Sequence, residues 1–223
     1  MGGKPRARPI HLALPKGRLA SDVIELFAKA GYDLSALEDA KRRLWVDCGR
    51  FRVLTLRGLD VAAYVAHGVA DVGVVGSDVL AESRPDLYEL LDLGVGRCRL
   101  VVAELASRKG EQRGQRHLRV ATKYPELARR HYQNRSVPAE IVKLAGAIEL
   151  GPVLGLADEI VDLVQTGETL EQNGLIEVET IAEVSARLVM NRASFRLRGG
   201  ELGELVDRLA EVTGGGQRSA ATA

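Results

Sequence analysis

The sequence predicts an α/β protein built on a largely parallel sheet with helices on both faces, and three observations carry that prediction. Short apolar runs alternate with segments whose apolar residues recur at helical spacing. Glycine is enriched, 24 of 223 residues against an average of roughly 7%, while aromatic residues are sparse, a pairing that suits many tight strand-to-helix turns. Nearly half of the residues are hydrophobic, 46%, so a chain of this length buries a sizeable core in one large domain or two small lobes.

Taken in order, Ile10 to Leu14 is a short apolar strand, Pro15, Lys16 and Gly17 turn, and Leu19, Val23, Ile24, Leu26 and Phe27 mark a helix from Arg18 to Ala30. Leu44 to Val46 and Phe51 to Leu56 read as two strands around a turn at Asp47 to Arg50, and Leu59 to His67 continues as a helix. Asp71 to Val75 is a further strand, with Ser77 or Asp78 placed to cap the helix behind it. A strand around Asp86 to Leu93 precedes the β-forming run GVGRCRLVVAELA, and SRKGEQRGQRH then reads as an exposed, mobile charged loop. Arg119 to Thr122 restarts the alternation, followed by a helix over Pro125 to Gln133 and strands near Glu140 to Lys143 and Ala147 to Leu150. A second lobe therefore begins near Arg97. The last helix, Leu202 to Val212, ends at three glycines, and GGGQRSAATA has the composition of a disordered tail.

Thirty-one Lys and Arg balance thirty Asp and Glu, so no global field marks nucleic acid or membrane as the partner. The basic start MGGKPRARP precedes no long apolar run, and no segment reaches the roughly 18 uncharged apolar residues of a membrane helix, which makes the cytoplasm the expected address. Cys48 and Cys98 lack metal-ligand spacing and read as reduced strand or core residues.

The chemistry concentrates in Glu149 to Leu175, ELGPVLGLADEIVDLVQTGETLEQNGL. Asp158 and Asp162 stand four apart, which stacks both carboxylates on one face if Ala157 to Val164 is helical, ready for two neighbouring ribose hydroxyls. Gln165-Thr166-Gly167-Glu168-Thr169 follows at once. There Gly allows close backbone approach, and two hydroxyls with successive N–H groups opening a helix suit a phosphate monoester. The competing structural reading is a helix C-cap at Gly167 with Thr169 as the next N-cap. Carboxylates followed directly by a hydroxyl-rich nest read as one ligand, a 5-phosphorylated ribose.

This segment resembles the phosphoribosyl pyrophosphate loop of the ATP phosphoribosyltransferases, and other stretches resemble the same family in order along the chain. They are LPKGRL at Leu14 to Leu19, RGLDVAAYVAHGVADVGVVGSDVL at Arg57 to Leu80, LGVGRCRLVVA at Leu93 to Ala103, VATKYPELA at Val120 to Ala128 and SARLVMN at Ser185 to Asn191. The resemblance implies two lobes like those of a type II periplasmic binding protein with the active site in the cleft between them. Lobe I would comprise 1–95 with 188–223, and lobe II 96–187. It implies that Asp158 and Asp162 hold the ribose, that Thr166, Gly167, Glu168 and Thr169 hold the 5-phosphate, and that Glu149 lies beside them.

By the same likeness Lys16, Gly17 and Arg18 meet pyrophosphate or nucleotide phosphates, and Arg42 and Arg57 take the pyrophosphate leaving group as the catalytic pair. Asp71, Val72 and Gly76 border the nucleotide, and Tyr124 lies against the adenine. The implied reaction moves the 5-phosphoribosyl group of phosphoribosyl pyrophosphate to N1 of the ATP adenine, with Mg²⁺ held mainly by substrate phosphates, at the first step of histidine biosynthesis. Since N1 already bears a lone pair, no side-chain nucleophile is required, and positioning with charge neutralisation carries the catalysis. The short catalytic chains of this family form homodimers, built into a hetero-octamer with a regulatory subunit related to histidyl-tRNA synthetase. Two other readings share parts of the pattern: a phosphoribosyltransferase for another base, and a solute-binding or effector-sensing protein of the same fold.

Overall fold

Continuous runs of branched apolar residues make strands buried on both faces, the habit of parallel sheets, and the central strands here follow it. The computed structural model describes residues 8–38, 43–109 and 118–214. In chain order the first elements are β1 (Ile10–Pro15), α1 (Arg18–Lys29), β2 (Trp45–Cys48), β3 (Phe51–Leu56), α2 (Gly58–Ala66), β4 (Val72–Gly76), α3 (Ser77–Ser83) and β5 (Tyr88–Asp92). There follow β6 (Cys98–Leu105), β7 (Leu118–Thr122), α4 (Pro125–Asn134), β8 (Ala139–Lys143), α5 (Leu150–Val153) and β9 (Glu159–Val164). The series closes with α6 (Glu168–Gln172), β10 (Leu175–Val184), β11 (Ala186–Met190) and α7 (Arg192–Val212).

The described residues divide into two compact units. Unit 1 gathers those up to Leu80, Arg84–Gly96 and those from Ser185 on; unit 2 gathers Ala81–Ser83 and Arg97–Val184.

Unit 1 is a six-stranded sheet in the order β2-β3-β1-β4-β11-β5. β1 runs parallel to β3 and β4, while β2 and β11 are antiparallel to their neighbours. On one face α1 buries Val23, Leu26 and Phe27, and the rings of Phe27, Tyr32 and Phe51 meet at tilted and edge-on angles. Each such fully buried large side chain contributes roughly 1.5–3 kcal/mol. On the other face α2 lays Val61, Ala62 and Val65 over Ala13, Val75 and Val189. Gly73 permits that close approach, since a Cβ there would lie 2.7 Å from Val65 Cγ2.

Unit 2 is a five-stranded sheet in the order β10-β6-β9-β7-β8. β7 is parallel to both β8 and β9, and β6 is antiparallel to β9 and β10. Leu100, Val120, Tyr124, Ala128, Tyr132 and Val161 form a core on one face, and Val101, Ala121, Ile148, Ile160 and Leu170 on the other. The two cysteines stand in strands β2 and β6 as free thiols. Among the described residues no helix is long and apolar enough to cross a membrane.

Several local expectations need correction. Ala157 to Val164 is not a helix: Ile160, Val161 and Val164 put their branched side chains into strand β9. Ala147 to Leu150 is not a strand, because Ala147 takes a left-handed conformation (φ 47°) and the chain turns at once into α5. Neither Ser77 nor Asp78 caps α3: Gly76 is the N-cap, with Ser77 and Asp78 inside the first turn. The β2–β3 turn is confined to Gly49 and Arg50, with Asp47 and Cys48 still paired in the ladder. The last helix starts ten residues earlier than Leu202, with a kink at Arg198. Of SRKGEQRGQRH only 107–109 lie within the described residues, as does nothing of GGGQRSAATA beyond its first glycine.

Candidate active site

Parallel strands send their carboxyl ends to one edge, and there the chain departs into helices whose first N–H groups lack intrahelical partners. In unit 1 that edge is formed by β1, β3 and β4. Pro15 pairs with Leu56, and the Lys16 N–H donates to Leu56 O at 2.8 Å, so Lys16 and Arg57 are neighbours just past the ends of adjacent strands. Gly17 is the N-cap of α1 at φ 90°, a left-handed conformation only glycine takes without strain. Arg57 is the N-cap of α2, and Gly76 that of α3. None of these three N-caps makes a side-chain capping bond. Lys16, Arg18 and Arg57 are exposed, so cations and helix N-termini coincide at this edge. Gly76 is needed for another reason: the Asp78 carboxylate folds back to within 1.9 Å of where a Cβ would sit.

The other predicted nucleotide neighbours go elsewhere. Asp71, with Val72 after it, stands at the amino end of β4, the edge opposite Gly76. The Asp71 carboxylate, 5% exposed, accepts from the His11 N–H at 2.9 Å, the Ser194 hydroxyl at 2.7 Å and Arg198 Nη1 at 2.9 Å. It pins β1, β4 and the kink of α7 together. Arg42 lies outside the described residues.

In unit 2 the corresponding edge carries the ends of β7, β8 and β9. Asp162 is near the end of β9, and Thr166 to Thr169 form the turn into α6. Gly167 is the N-cap of α6 at φ 92°, so Gly167 opens this helix, and the competing reading with Thr169 as N-cap does not hold. The first intrahelical acceptor, Gly167 O, is taken by the Glu171 N–H at 3.1 Å, and the Glu168 N–H reaches Thr166 Oγ1 at 3.5 Å. The Thr169 and Leu170 N–H groups precede any i−4 partner and point where an anion is stabilised. α4 starts from the same edge but already holds an anion, because Glu82 accepts from the Glu126 and Leu127 N–H groups at 2.9 and 2.8 Å. Glu149 is the residue before α5, whose Gly151 packs against Ala121 of β7.

Asp158 and Asp162 do not converge. Asp158 stands just before β9 and Asp162 inside it, about 13 Å apart along the chain at ~3.3 Å per residue. Asp158 is at the amino end, where its carboxylate accepts from the Arg119 N–H at 2.9 Å and Arg108 Nη1 at 3.0 Å. Tyr124 likewise departs from expectation. Its ring is 4% exposed within the core of unit 2, with Lys123 Nζ 5.5 Å from the ring centroid, so it offers no open face for an adenine. Sequence reasoning passed over Lys123 and Glu82. For Lys123 a signal existed: like Lys16, it is the first residue past a parallel strand, two before a helix.

Residues 57–211 match the family model HisG, described as ATP phosphoribosyltransferase. An ATP phosphoribosyltransferase from Geobacillus kaustophilus is 47% identical over 205 residues, covering 91% of this chain and 98% of the relative. Among solved structures, the ATP phosphoribosyl transferase (HisG:HisZ) complex from Thermotoga maritima superposes with a TM-score of 0.78 at 30% identity, covering 92% of this chain and 98% of that one. The periplasmic aliphatic sulphonate binding protein SsuA from Escherichia coli, at a TM-score of 0.60 and 11% identity over 92% of this chain and 68% of its own, shares the fold.

Proposed function

Because the chain belongs to the ATP phosphoribosyltransferase family, we propose that it transfers the 5-phosphoribosyl group of phosphoribosyl pyrophosphate to N1 of the ATP adenine, releasing pyrophosphate at the first step of histidine biosynthesis. The observation that carries the proposal is the run from Asp162 to Thr169 at the carboxyl ends of the parallel strands of unit 2. A carboxylate, two hydroxyls and uncommitted helix N–H groups follow one another there as ribose and phosphate do in the substrate.

Thr166, Gly167, Glu168 and Thr169 take the 5-phosphate through hydroxyl and backbone donors, and Asp162 takes a ribose hydroxyl. Asp158, saturated at the opposite edge, serves the fold. In unit 1, Lys16, Gly17, Arg18 and Arg57 hold phosphate or pyrophosphate charge. Gly76, at the same edge, borders the nucleotide. The adenine N1 attacks C1 of the phosphoribosyl group with its own lone pair as the C1–pyrophosphate bond breaks. Negative charge then grows on the leaving oxygen, where Arg57 neutralises it most in the transition state.

The family's reaction uses a divalent metal, here taken as Mg²⁺. Among the described residues no three His, Cys, Asp or Glu side chains form a metal cage. Mg²⁺ typically relies on one or two carboxylates plus substrate phosphates, and here the substrate phosphates would hold most of it. When bound it supplies additional neutralisation of pyrophosphate charge.

The T. maritima relative's description as a HisG:HisZ complex supports a second subunit here too. This chain works in the cytoplasm as a homodimer within a hetero-octamer, with a regulatory subunit related to histidyl-tRNA synthetase. The test is pyrophosphate release from ATP and phosphoribosyl pyrophosphate with Mg²⁺, with and without that subunit. Release with ATP and none with other bases supports the assignment; release with another base in place of ATP overturns it.

A further inference from the structure

Parallel register sets Thr122 of β7 beside Val161 of β9, so the next residue on each strand, Lys123 and Asp162, are neighbours. Lys123 Nζ lies 3.0 Å from Asp162 Oδ1. Thr122 builds this placement. Fully buried, its hydroxyl donates to Val161 O at 2.6 Å and accepts from the Tyr124 N–H at 2.9 Å, which ties the chain to β9 on both sides of Lys123. The ammonium is also held by the Tyr124 ring, 5.5 Å from its centroid. Asp162 Oδ1 also accepts from the Leu163 N–H at 2.8 Å. The Leu163 N–H and the closest approach of the ammonium therefore fall on the same oxygen, and among the described residues no hydrogen bond engages Oδ2.

We propose that Lys123 is the positioning residue for Asp162: it holds Oδ1 so that Oδ2 is left to accept a hydroxyl of the incoming ribose. This deepens, and rests on, the ribose role assigned to Asp162 above. A carboxylate anchored through one oxygen keeps a single rotamer, so the second oxygen meets the substrate already oriented.

The experiment is steady-state kinetics of the full chain, with its regulatory subunit present, for Lys123→Met, Lys123→Arg, Asp162→Asn and the double variant Lys123→Met/Asp162→Asn. The pair is partly solvent-exposed, so a modest effect is expected: Lys123→Met raises KM for phosphoribosyl pyrophosphate about fivefold while kcat and KM for ATP stay within about twofold. Lys123→Arg restores most of the loss, and on the Asp162→Asn background Lys123→Met adds nothing further. Thermal unfolding of each variant verifies that the fold is retained. Effects that multiply independently in the double variant, or a change confined to KM for ATP, overturn the positioning role while leaving the ribose role standing. If Asp162→Asn alone leaves KM for phosphoribosyl pyrophosphate unchanged, the ribose role itself fails and the proposal fails with it.

Discussion

Asp158, just before β9, and Asp162, within it, are the same residue type, yet their surroundings differ in kind. At the amino end Asp158 has both oxygens engaged, one by a backbone N–H and one by Arg108. At the carboxyl end Asp162 accepts a hydrogen bond, among the described residues, on one oxygen only, from the Leu163 N–H, with the Lys123 ammonium nearest to that same oxygen. β4 repeats the pattern: Asp71 at its amino end accepts from three partners, while its carboxyl end opens at Gly76 into a helix without a side-chain cap. In each unit a carboxylate at the amino end of a parallel strand is consumed by the fold, and the proposed ligand groups lie at the carboxyl ends. A carboxylate in a motif is thus informative only together with the end of the strand it occupies.

The contrast predicts that variants at amino ends change stability and variants at carboxyl ends change kinetics. The largest effect belongs to Asp71→Ala, which removes the buried acceptor shared by the His11 N–H, the Ser194 hydroxyl and Arg198, leaving Glu201 as the carboxylate paired with Arg198. Urea denaturation should show a loss of about 3–5 kcal/mol, with KM for phosphoribosyl pyrophosphate unchanged in the folded fraction. Next, Arg57→Ala should lower kcat by about 100-fold with little change in KM, because its partner charge grows in the transition state. A pure KM effect would move Arg57 to ground-state binding. Thr169→Ala should raise KM for phosphoribosyl pyrophosphate by about tenfold, the scale of one lost hydrogen bond to a charged group, without altering the unfolding midpoint.

The smallest effect is expected at Asp158→Asn, about 1 kcal/mol of stability after allowance for solvent screening, with kinetics unaffected. Its pH dependence has a definite sign. Burial pushes the Asp158 carboxyl up, but the Arg119 N–H with Arg108 and the nearby Arg119 charge outweigh that and hold it below the ordinary aspartate value. A depressed folded-state value means the stabilisation is complete above the unfolded-state value and is lost as pH falls through the folded one. Urea midpoints should therefore differ between wild type and Asp158→Asn at neutral pH and converge as pH drops below about 4.

Much of the fold was legible because its central strands are unbroken apolar runs bounded by turn residues, as in Ile10 to Leu14 before Lys16-Gly17. The turn after β9 was legible as local structure: Gly167 between Thr166 and Glu168-Thr169 has the left-handed backbone and helix start that its composition suggested. Ala157 to Val164 was misread because a four-residue spacing lies on one face of a helix and of a strand alike; the branched residues between the aspartates were the better guide. Tyr124 could not be placed from sequence, since whether a tyrosine before a proline faces a ligand or a core depends on what packs over it, here Leu100, Ala128 and Val161. Lys123 was overlooked because its partner lies 39 residues away in a strand whose register no local pattern reveals.

The most direct test of the difference between strand ends is amide hydrogen exchange of the full chain with and without phosphoribosyl pyrophosphate. Added substrate should slow exchange at Thr166 to Leu170 and leave the segment around Asp158 and that around Asp71 unchanged. Protection centred on Asp158 or Asp71, with none at Thr166 to Leu170, would contradict the account.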